Sequence, residues 1–529
     1  MSRLPGHNNA AAYAIFLFAG NRPQEGIAEF ERVLQAHPDD IALRNRYSAL
    51  LMTFGRRKDA ERIVDGTLGR QSKEPGALLQ QTALYVDAGN VEAAARNVQL
   101  LLSMDKTSPL LSYQQARIAG ARGETANERA FLAQAVDQDA NFLQARVDLA
   151  RLLLAAGNAT DASALLQEAP SPNQHTPEFL YMRTAILLAT GDDRSARSAV
   201  DAELATGRNP AFLCQDAVLK DRSGDAAGAE QSLKEAFGKA PDNPEVLTLL
   251  GGVMKRRGQA ERFQEMVKEA AAKNPEAAQL HRTLAALLAE RGDVTGAIAA
   301  IRAAVASRPQ SAQLRLELGR LLARNGESAL AAVEFRAAGK AGDVGNSNLE
   351  LAALHLQAGE LQEARARLTE ALKLTDTARG RMLMAEVEMR TGAAPTLLVQ
   401  LYQKALQLEP ENVAALNNLA GILAIREHKL DEALQAARKA AAVAPNDAAV
   451  LDTLGWVYYL RGEYAAALPY LERSLRIMKR PTAHYHLAAE LKAYGDAERA
   501  AREYREGVKE DPKSDARVAA YALFEGLNK

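Results

Sequence analysis

Cysteine is nearly absent from this chain of 529 residues, which contains one, Cys214. A single thiol cannot form an internal disulfide, so the sequence excludes a disulfide-stabilised fold. This composition is compatible with a reducing compartment but does not require one. Because Cys214 follows Phe212 and Leu213, we expect a small buried residue without a redox or lipid-attachment role.

Aromatic residues and unbalanced charge are also scarce. Phe, Trp and Tyr make up 5% of the chain, and Trp456 is its one tryptophan. We therefore expect a core built from contacts of Ala and Leu. Lys plus Arg number 65 against 66 Asp plus Glu, and neither sign forms a long block. Since nucleic-acid binding needs a basic surface, we expect no nucleic-acid partner.

Long apolar segments are missing as well. No stretch reaches the roughly eighteen consecutive apolar residues of a membrane span, so we expect no transmembrane segment. Residues 10–19, AAAYAIFLFA, follow Arg3 and fit either a short signal-peptide core or the first helix of a repeat. No small-residue cleavage motif follows, which favours the helix. The chain as it stands predicts a cytoplasmic protein, whereas a preceding signal would indicate the periplasm or a membrane surface.

Groups of catalytic or metal-binding residues are absent too. Only two of the eight histidines, His484 and His486, are close in sequence. Residues two apart on a helix project about 200° apart, so these two cannot share a metal ion in regular geometry. The glycines of residues 339–345 lack the spacing of a phosphate-binding loop. We therefore expect no metal, no cofactor and no enzymatic activity.

What the chain does contain is a glycine repeated about every 34 residues. The series has one gap of about two periods, and its members are Gly55, Gly89, Gly123, Gly157, Gly191, Gly224, Gly258, Gly292, Gly326, Gly359, Gly392, Gly462 and Gly495. Five residues after ten of these thirteen glycines comes alanine. A fixed period of this length indicates one supersecondary unit copied along the chain, each copy packing on its neighbours. The fold class predicted is an all-α solenoid.

Each period predicts a helical hairpin. Before Gly462 the apolar residues of 447–460 follow helical spacing, and after it Ala467 and Leu471 lie on one face of a second helix. Glycine suits the left-handed conformation that ends the first helix. A small alanine lets the two helices approach closely.

Leu454, Gly455 and Tyr458, followed by Gly462, Ala467 and Leu471, resemble the signature of the tetratricopeptide repeat. The resemblance implies a superhelical solenoid of about fifteen hairpins over residues 7–512, and residues 513–529 are expected to form a C-terminal capping helix. Local departures are Glu128, Phe263 and Leu398 in place of the small residue, and residues 425–430, which have no glycine.

In the tetratricopeptide family the first helix of each hairpin lines the concave face. Carried over to the last three hairpins, this implies protein or peptide partners bound by Asn417, Asn418, Asp452, Thr453, Trp456, Tyr459, Tyr485 and His486. Aromatic anchors beside a few polar groups are typical of binding surfaces. The alternative interpretation is that Trp456 and Tyr459 pack between adjacent hairpins. The sequence leaves both open.

The segments ALNNLAGILA and VLDTLGWVYYLRGEYAAALPYLERSL resemble bacterial tetratricopeptide proteins of exopolysaccharide export and exosortase sorting. This resemblance implies a non-enzymatic scaffold for partner proteins. Two alternatives stay open: the substrate-selecting arm of an enzyme such as a glycosyltransferase, or an assembly chaperone for secreted or pilus proteins. The oligomeric state is not determined by the sequence.

Overall fold

The computed structural model describes residues 11–20, 22–104 and 107–511. This part of the chain contains thirty α-helices, a short 3₁₀ turn at Ser171–His175 and no strand. The odd-numbered helices begin the hairpins: α1 Ala12–Ala19, α3 Ile41–Thr53, α5 Pro75–Asp87, α7 Pro109–Ala121, α9 Leu143–Ala155, α11 Pro177–Thr190, α13 Pro210–Arg222, α15 Pro244–Arg256, α17 Ala278–Glu290, α19 Ala312–Arg324, α21 Val344–Gln357, α23 Ala378–Arg390, α25 Val413–Ile425, α27 Ala448–Leu460 and α29 Pro481–Tyr494. We call these the A helices.

The even-numbered B helices complete the hairpins: α2 Pro23–Ala36, α4 Arg57–Leu68, α6 Val91–Ser103, α8 Thr125–Gln138, α10 Ala159–Gln167, α12 Asp193–Thr206, α14 Ala226–Lys239, α16 Ala260–Lys273, α18 Val294–Ser307, α20 Ser328–Lys340, α22 Leu361–Leu374, α24 Pro395–Leu408, α26 Leu430–Val443, α28 Tyr464–Ile477 and α30 Ala497–Glu510. The all-α class and the fifteen hairpins are confirmed. The expected capping helix at 513–529 lies outside the described residues.

The chain divides into two compact units, Met1–Asp343 and Val344–Lys529. The described part of the first holds α1 to α20 and that of the second holds α21 to α30. The sequence period continues through the division, so it predicts one array and gives no sign of this boundary. No described helix combines the length and apolar character needed to cross a bilayer.

The periodic glycines end the A helices in the left-handed conformation. All thirteen have φ between 69° and 101°, a region that costs glycine little because it has no Cβ. The hairpin of α25 and α26, which has no such glycine, makes its turn differently. There α25 ends at Ile425, α26 begins at Leu430, and His428 takes a φ of 56°. The departure therefore changes the turn and leaves the hairpin intact.

The small residues on the B helices are buried as expected. The ten alanines that follow the glycines are each 0% exposed: Ala60, Ala94, Ala162, Ala196, Ala229, Ala297, Ala331, Ala364, Ala467 and Ala500. Where Phe263 replaces alanine, the A helix provides Gly251, and a Cβ added there would lie 2.8 Å from the Phe263 ring. One small residue therefore lies on the A helix instead of the B helix, and the two helices keep their close approach.

The apolar core extends along each unit in clusters that link consecutive hairpins. Cys214 lies within such a cluster and is 1% exposed. Burial raises the pKa of its thiol to about 12, so the thiolate that redox chemistry requires is disfavoured. The expectation of a small buried residue at this position is confirmed.

Within the first unit, hairpins far apart in sequence also meet. Gly89, in the turn between α5 and α6, lies against the backbone of Ser311, which caps α19. A Cβ added at Gly89 would lie 3.0 Å from the Ser311 Cα atom. Nearby, Gly342 lies against Glu92 of α6. These contacts join the third hairpin of the chain to the tenth.

Candidate partner-binding site

The predicted site residues lie on α25, α27 and α29, the A helices of the last three hairpins. α27 is capped by Asp447, whose Oδ1 accepts hydrogen bonds from the backbone N–H groups of Ala449 at 2.8 Å and Val450 at 3.1 Å. Nine of its thirteen residues are buried, because it packs against α25, α26, α28 and α29. Side chains on α27 are therefore held in fixed positions.

Trp456 is stacked between two other rings. Its centroid lies 4.7 Å from that of Tyr459 on the same helix, with an interplanar angle of 16°. On the other side lies His486 of α29, at 4.1 Å and 15°. The stack leaves Trp456 7% exposed. The indole therefore joins neighbouring hairpins, as the packing interpretation of the sequence expected.

Asp452 fixes the orientation of the imidazole in this stack. Its Oδ1 and Oδ2 atoms are each 3.0 Å from the Nδ1 atom of His486. Since a carboxylate accepts hydrogen bonds, Nδ1–H is the donor. Asp452 is itself 7% exposed, so the pair is largely shielded from solvent and stabilises one ring position.

The two neighbouring histidines point in different directions. The Nδ1 atom of His484 lies 2.7 Å from the Oε2 atom of Glu503 on α30, whereas His486 contacts α27. Among the described residues no group of three or more His, Cys, Asp or Glu side chains is placed to hold a metal ion.

Tyr485 does not belong to the stack, and its predicted place on the binding face is wrong. It is 0% exposed and packs edge-on against Tyr504 of α30, with ring centroids 5.6 Å apart. Its hydroxyl donates to the backbone carbonyl of Asp511 at 2.9 Å. Consecutive residues on a helix point about 100° apart, so Tyr485 faces α30 when His486 faces α27.

The predicted polar residues lie beside the stack. Asn417 and Asn418 are half-buried on α25, and Thr453 is half-buried on α27. Asn418 lies beside the hydroxyl of Tyr402 on α24, so its amide faces the preceding hairpin. The Oδ1 atom of Asn417 is buried without a hydrogen-bond partner. The structure thus places the amides on a neighbouring helix, outside the ring contacts and hydrogen bonds of the stack.

Two residues near the stack were missed in the sequence. Tyr464, at the start of α28, lies 5.6 Å from Tyr459 and is 38% exposed. Glu490 lies one helical turn after His486, is 0% exposed, and neither carboxylate oxygen has a hydrogen-bond partner. Burial raises the pKa of this carboxyl to about 7. A sequence signal existed, because twelve of the thirteen periodic glycines have Leu, Ile or Val five residues earlier and Gly495 has Glu490.

Chemically, the stack provides a rigid aromatic surface. Trp456 forms its interior, and the half-buried side chains of Thr453, Tyr459 and His486 form its accessible edge. Burial raises the pKa of Tyr459, which keeps its hydroxyl neutral and able to donate a hydrogen bond. These groups suit the recognition of another protein surface by apolar contact and a few hydrogen bonds.

Comparison with known proteins agrees with this architecture. Models of the tetratricopeptide repeat match residues 17–82, 113–186, 222–287, 283–344 and 411–480. The TPR repeat-containing protein PA4667 of Pseudomonas aeruginosa is 41% identical over 68 residues, which are 13% of this chain and 12% of that protein. The type IV pilus assembly protein PilF of the same organism is 29% identical over 131 residues, which are 24% of this chain and 52% of PilF.

Two solved structures are also similar to the chain. One belongs to the crystal structure of the APC/C hetero-tetramer Cut9–Hcn1, with 15% identity, a TM-score of 0.40, and coverage of 91% of this chain and 96% of that one. The other is yeast Tom70, with 14% identity, a TM-score of 0.40, and coverage of 86% and 100%. The family models together match more than half of the 529 residues. The described residues form fifteen helical hairpins, and in thirteen of them a left-handed glycine ends the first helix. The chain belongs to the tetratricopeptide repeat family.

Proposed function

We propose that this protein is a non-enzymatic scaffold that binds partner proteins along the A-helix face of its last three hairpins. One observation carries the proposal: Trp456 is stacked between Tyr459 and His486, and Asp452 holds the imidazole of His486 in place. A surface already ordered loses little conformational entropy on binding. Its accessible edge, together with Asn417 and Asn418, is where we expect the partner to lie.

Site-specific photocrosslinking tests this directly. A benzoylphenylalanine in place of Thr453 should crosslink to a partner in cells of the source organism, and mass spectrometry then identifies it. The matched control carries the same group in place of Leu374, which is 60% exposed on B helix α22. The same partner crosslinked from both positions, or none from position 453, would contradict the proposal.

The identified partner allows a second measurement. Replacing Tyr459 with alanine removes the accessible ring and should weaken binding by about 2 kcal/mol, a typical value for an aromatic anchor. Replacing Asn325, which lies in the turn after α19 of the first unit, should leave the affinity unchanged.

For the pathway, we propose a role in bacterial exopolysaccharide export or protein sorting. The proposal is supported by the resemblance of residues 415–424 and 450–475, which fall within a tetratricopeptide match at 411–480. The similarity to PilF favours a second candidate, assistance in type IV pilus assembly. Deletion of the gene distinguishes them: loss of secreted polysaccharide with intact pili supports the first, and loss of surface pili supports the second.

A further inference from the structure

A cavity of about 370 Å³ lies between α26, α27 and α28 in the second unit. It is formed by other residues of α27, among them Leu451, Leu454 and Tyr458. On a helix these positions lie roughly 150° around from the face that carries Asp452 and Trp456. The cavity is therefore separate from the proposed partner-binding face.

The sequence of α26 explains the empty space. Two positions of the repeat hold Ala437 and Ala441 on α26. The equivalent residues are Tyr402 and Leu406 on α24, and Leu471 and Leu475 on α28. In fourteen of the fifteen described hairpins the first of these positions holds Val, Leu, Ile, Phe or Tyr, and α26 alone has alanine. The second alanine, Ala441, lines the cavity. Ala437 is 1% exposed and belongs to the core. The recess therefore lies at Ala441, where α24 and α28 each carry a leucine.

Two arginines lie at this recess without a carboxylate. Arg438 donates from Nε at 3.1 Å and from Nη2 at 2.9 Å to the hydroxyl of Tyr458, and its guanidinium lies 5.6 Å from the centre of that ring. Arg473 donates to the side-chain oxygen of Asn446. None of the nine residues that line the cavity is acidic.

Other arginines of the same unit are neutralised in place. Arg365 makes a two-pronged contact with Glu388 at 2.7 and 2.9 Å, and Arg379 makes one with Glu350 at 2.6 and 2.8 Å. A guanidinium prefers such planar bidentate contact with a carboxylate. At the cavity, Arg438 and Arg473 have no such carboxylate from this chain, so a carboxylate of another molecule can bind them.

We propose that this cavity binds a segment of a partner protein in which Asp or Glu adjoins a large apolar side chain such as Leu or Phe. The apolar side chain fills the recess above Ala441 and against Tyr470, whose ring is stacked on Tyr458 with centroids 5.8 Å apart. The carboxylate binds Arg438 and Arg473. The cavity and the proposed partner-binding face are on different sides of α27. An experiment that rules out binding at one therefore leaves the proposal for the other standing.

Peptide selection tests the proposal. Random phage-displayed peptides are selected on the full chain, and the affinity of the recovered peptides is measured by fluorescence anisotropy. Arg438→Gln and Ala441→Leu should each weaken binding by about tenfold or more. Ala441→Leu restores the leucine of α24 and α28 and fills the recess. The matched control, Arg426→Gln, loses the same charge at an exposed site outside the cavity and should change affinity by less than about twofold.

The expected peptides contain Asp or Glu next to Leu or Phe, and changing that acid to its amide should also abolish binding. Recovery of no such peptides, or equal affinity for the Ala441→Leu variant, would overturn the proposal. So would a concentration-dependent dimer that Ala441→Leu removes in sedimentation, because the cavity would then bind a second copy of the chain. Circular dichroism confirms that each variant is folded.

Discussion

Glu490 occupies a position where the other glycine-ended hairpins carry an aliphatic residue. Its carboxyl has an ordinary pKa of 4.5, and burial raises it to about 7 in the folded chain. Between these values the folded state holds the proton and the unfolded state has lost it. The free energy of unfolding therefore falls as pH rises from 4.5 to about 7, by about 3 kcal/mol at most.

Glu490→Val, which places here the residue found at Val457, should remove this pH dependence. We expect a clearly higher unfolding midpoint at pH 8 and a smaller gain at pH 5, measured by urea denaturation. Glu498→Gln, at an exposed position of α30, is the control and should change neither value. An equal gain at both pH values would show that ionisation of Glu490 is not the cause.

Trp456 gives a second prediction at this scale. Because its indole is 7% exposed and stacked on both faces, Trp456→Ala should lower the free energy of unfolding of the second unit by about 3 to 5 kcal/mol. Urea denaturation followed by circular dichroism measures the change. Stability close to that of the original chain would mean that the ring is not part of the interior. Tests of partner binding therefore belong on Tyr459 and Thr453.

At the scale of the helical hairpin, the turn between α25 and α26 is the one to examine. His428 has a φ of 56°, a conformation that costs a residue with a Cβ about 1 kcal/mol. His428→Gly should therefore raise the free energy of unfolding by up to about 1 kcal/mol, and Gly462→Ala, at a φ of 77°, should lower it by a similar amount. Chemical denaturation checks both signs. A loss of stability in His428→Gly would indicate that the imidazole makes a contact that outweighs the strain.

The hairpin is also the level that the sequence predicts best. The glycine and the alanine five residues later act within one hairpin, so local spacing is enough to place Gly462 and Ala467. The proposed binding face was harder to place from the sequence, because it depends on which residue of α29 faces α27. Tyr485 and His486 are adjacent in sequence, but the side chain of Tyr485 lies inside its own hairpin and that of His486 lies on the stack. In the sequence Glu490 differs from its counterparts only in replacing the Leu, Ile or Val that lies five residues before each of the other periodic glycines.

At the scale of the first unit, the contact between Gly89 and Ser311 could not be predicted from the period. It depends on the rotation of each hairpin relative to the previous one, summed from the third hairpin to the tenth. No single turn of the sequence determines that sum. A Cβ added at Gly89 would lie 3.4 Å from the Ser311 Cβ atom, close to the separation in a disulfide. Gly89→Cys with Ser311→Cys should therefore crosslink under mild oxidation, seen as a shifted band on a non-reducing gel.

The control pair is Gly157→Cys with Ser311→Cys, because a Cβ added at Gly157 has no neighbour within 4 Å. Equal crosslinking of both pairs would contradict the described contact. Cys214 is buried and should not interfere.

The contact between Gly89 and Ser311 also bears on how this chain can evolve. Repeat proteins often gain or lose whole units, since each one packs only on its neighbours. Here a duplication or deletion of one hairpin between residues 89 and 311 would carry Ser311 away from Gly89 and break the contact. The same event in the second unit would leave it untouched. Where the contact is under selection, the number of hairpins that it spans is held constant while the rest of the array is free to change in length.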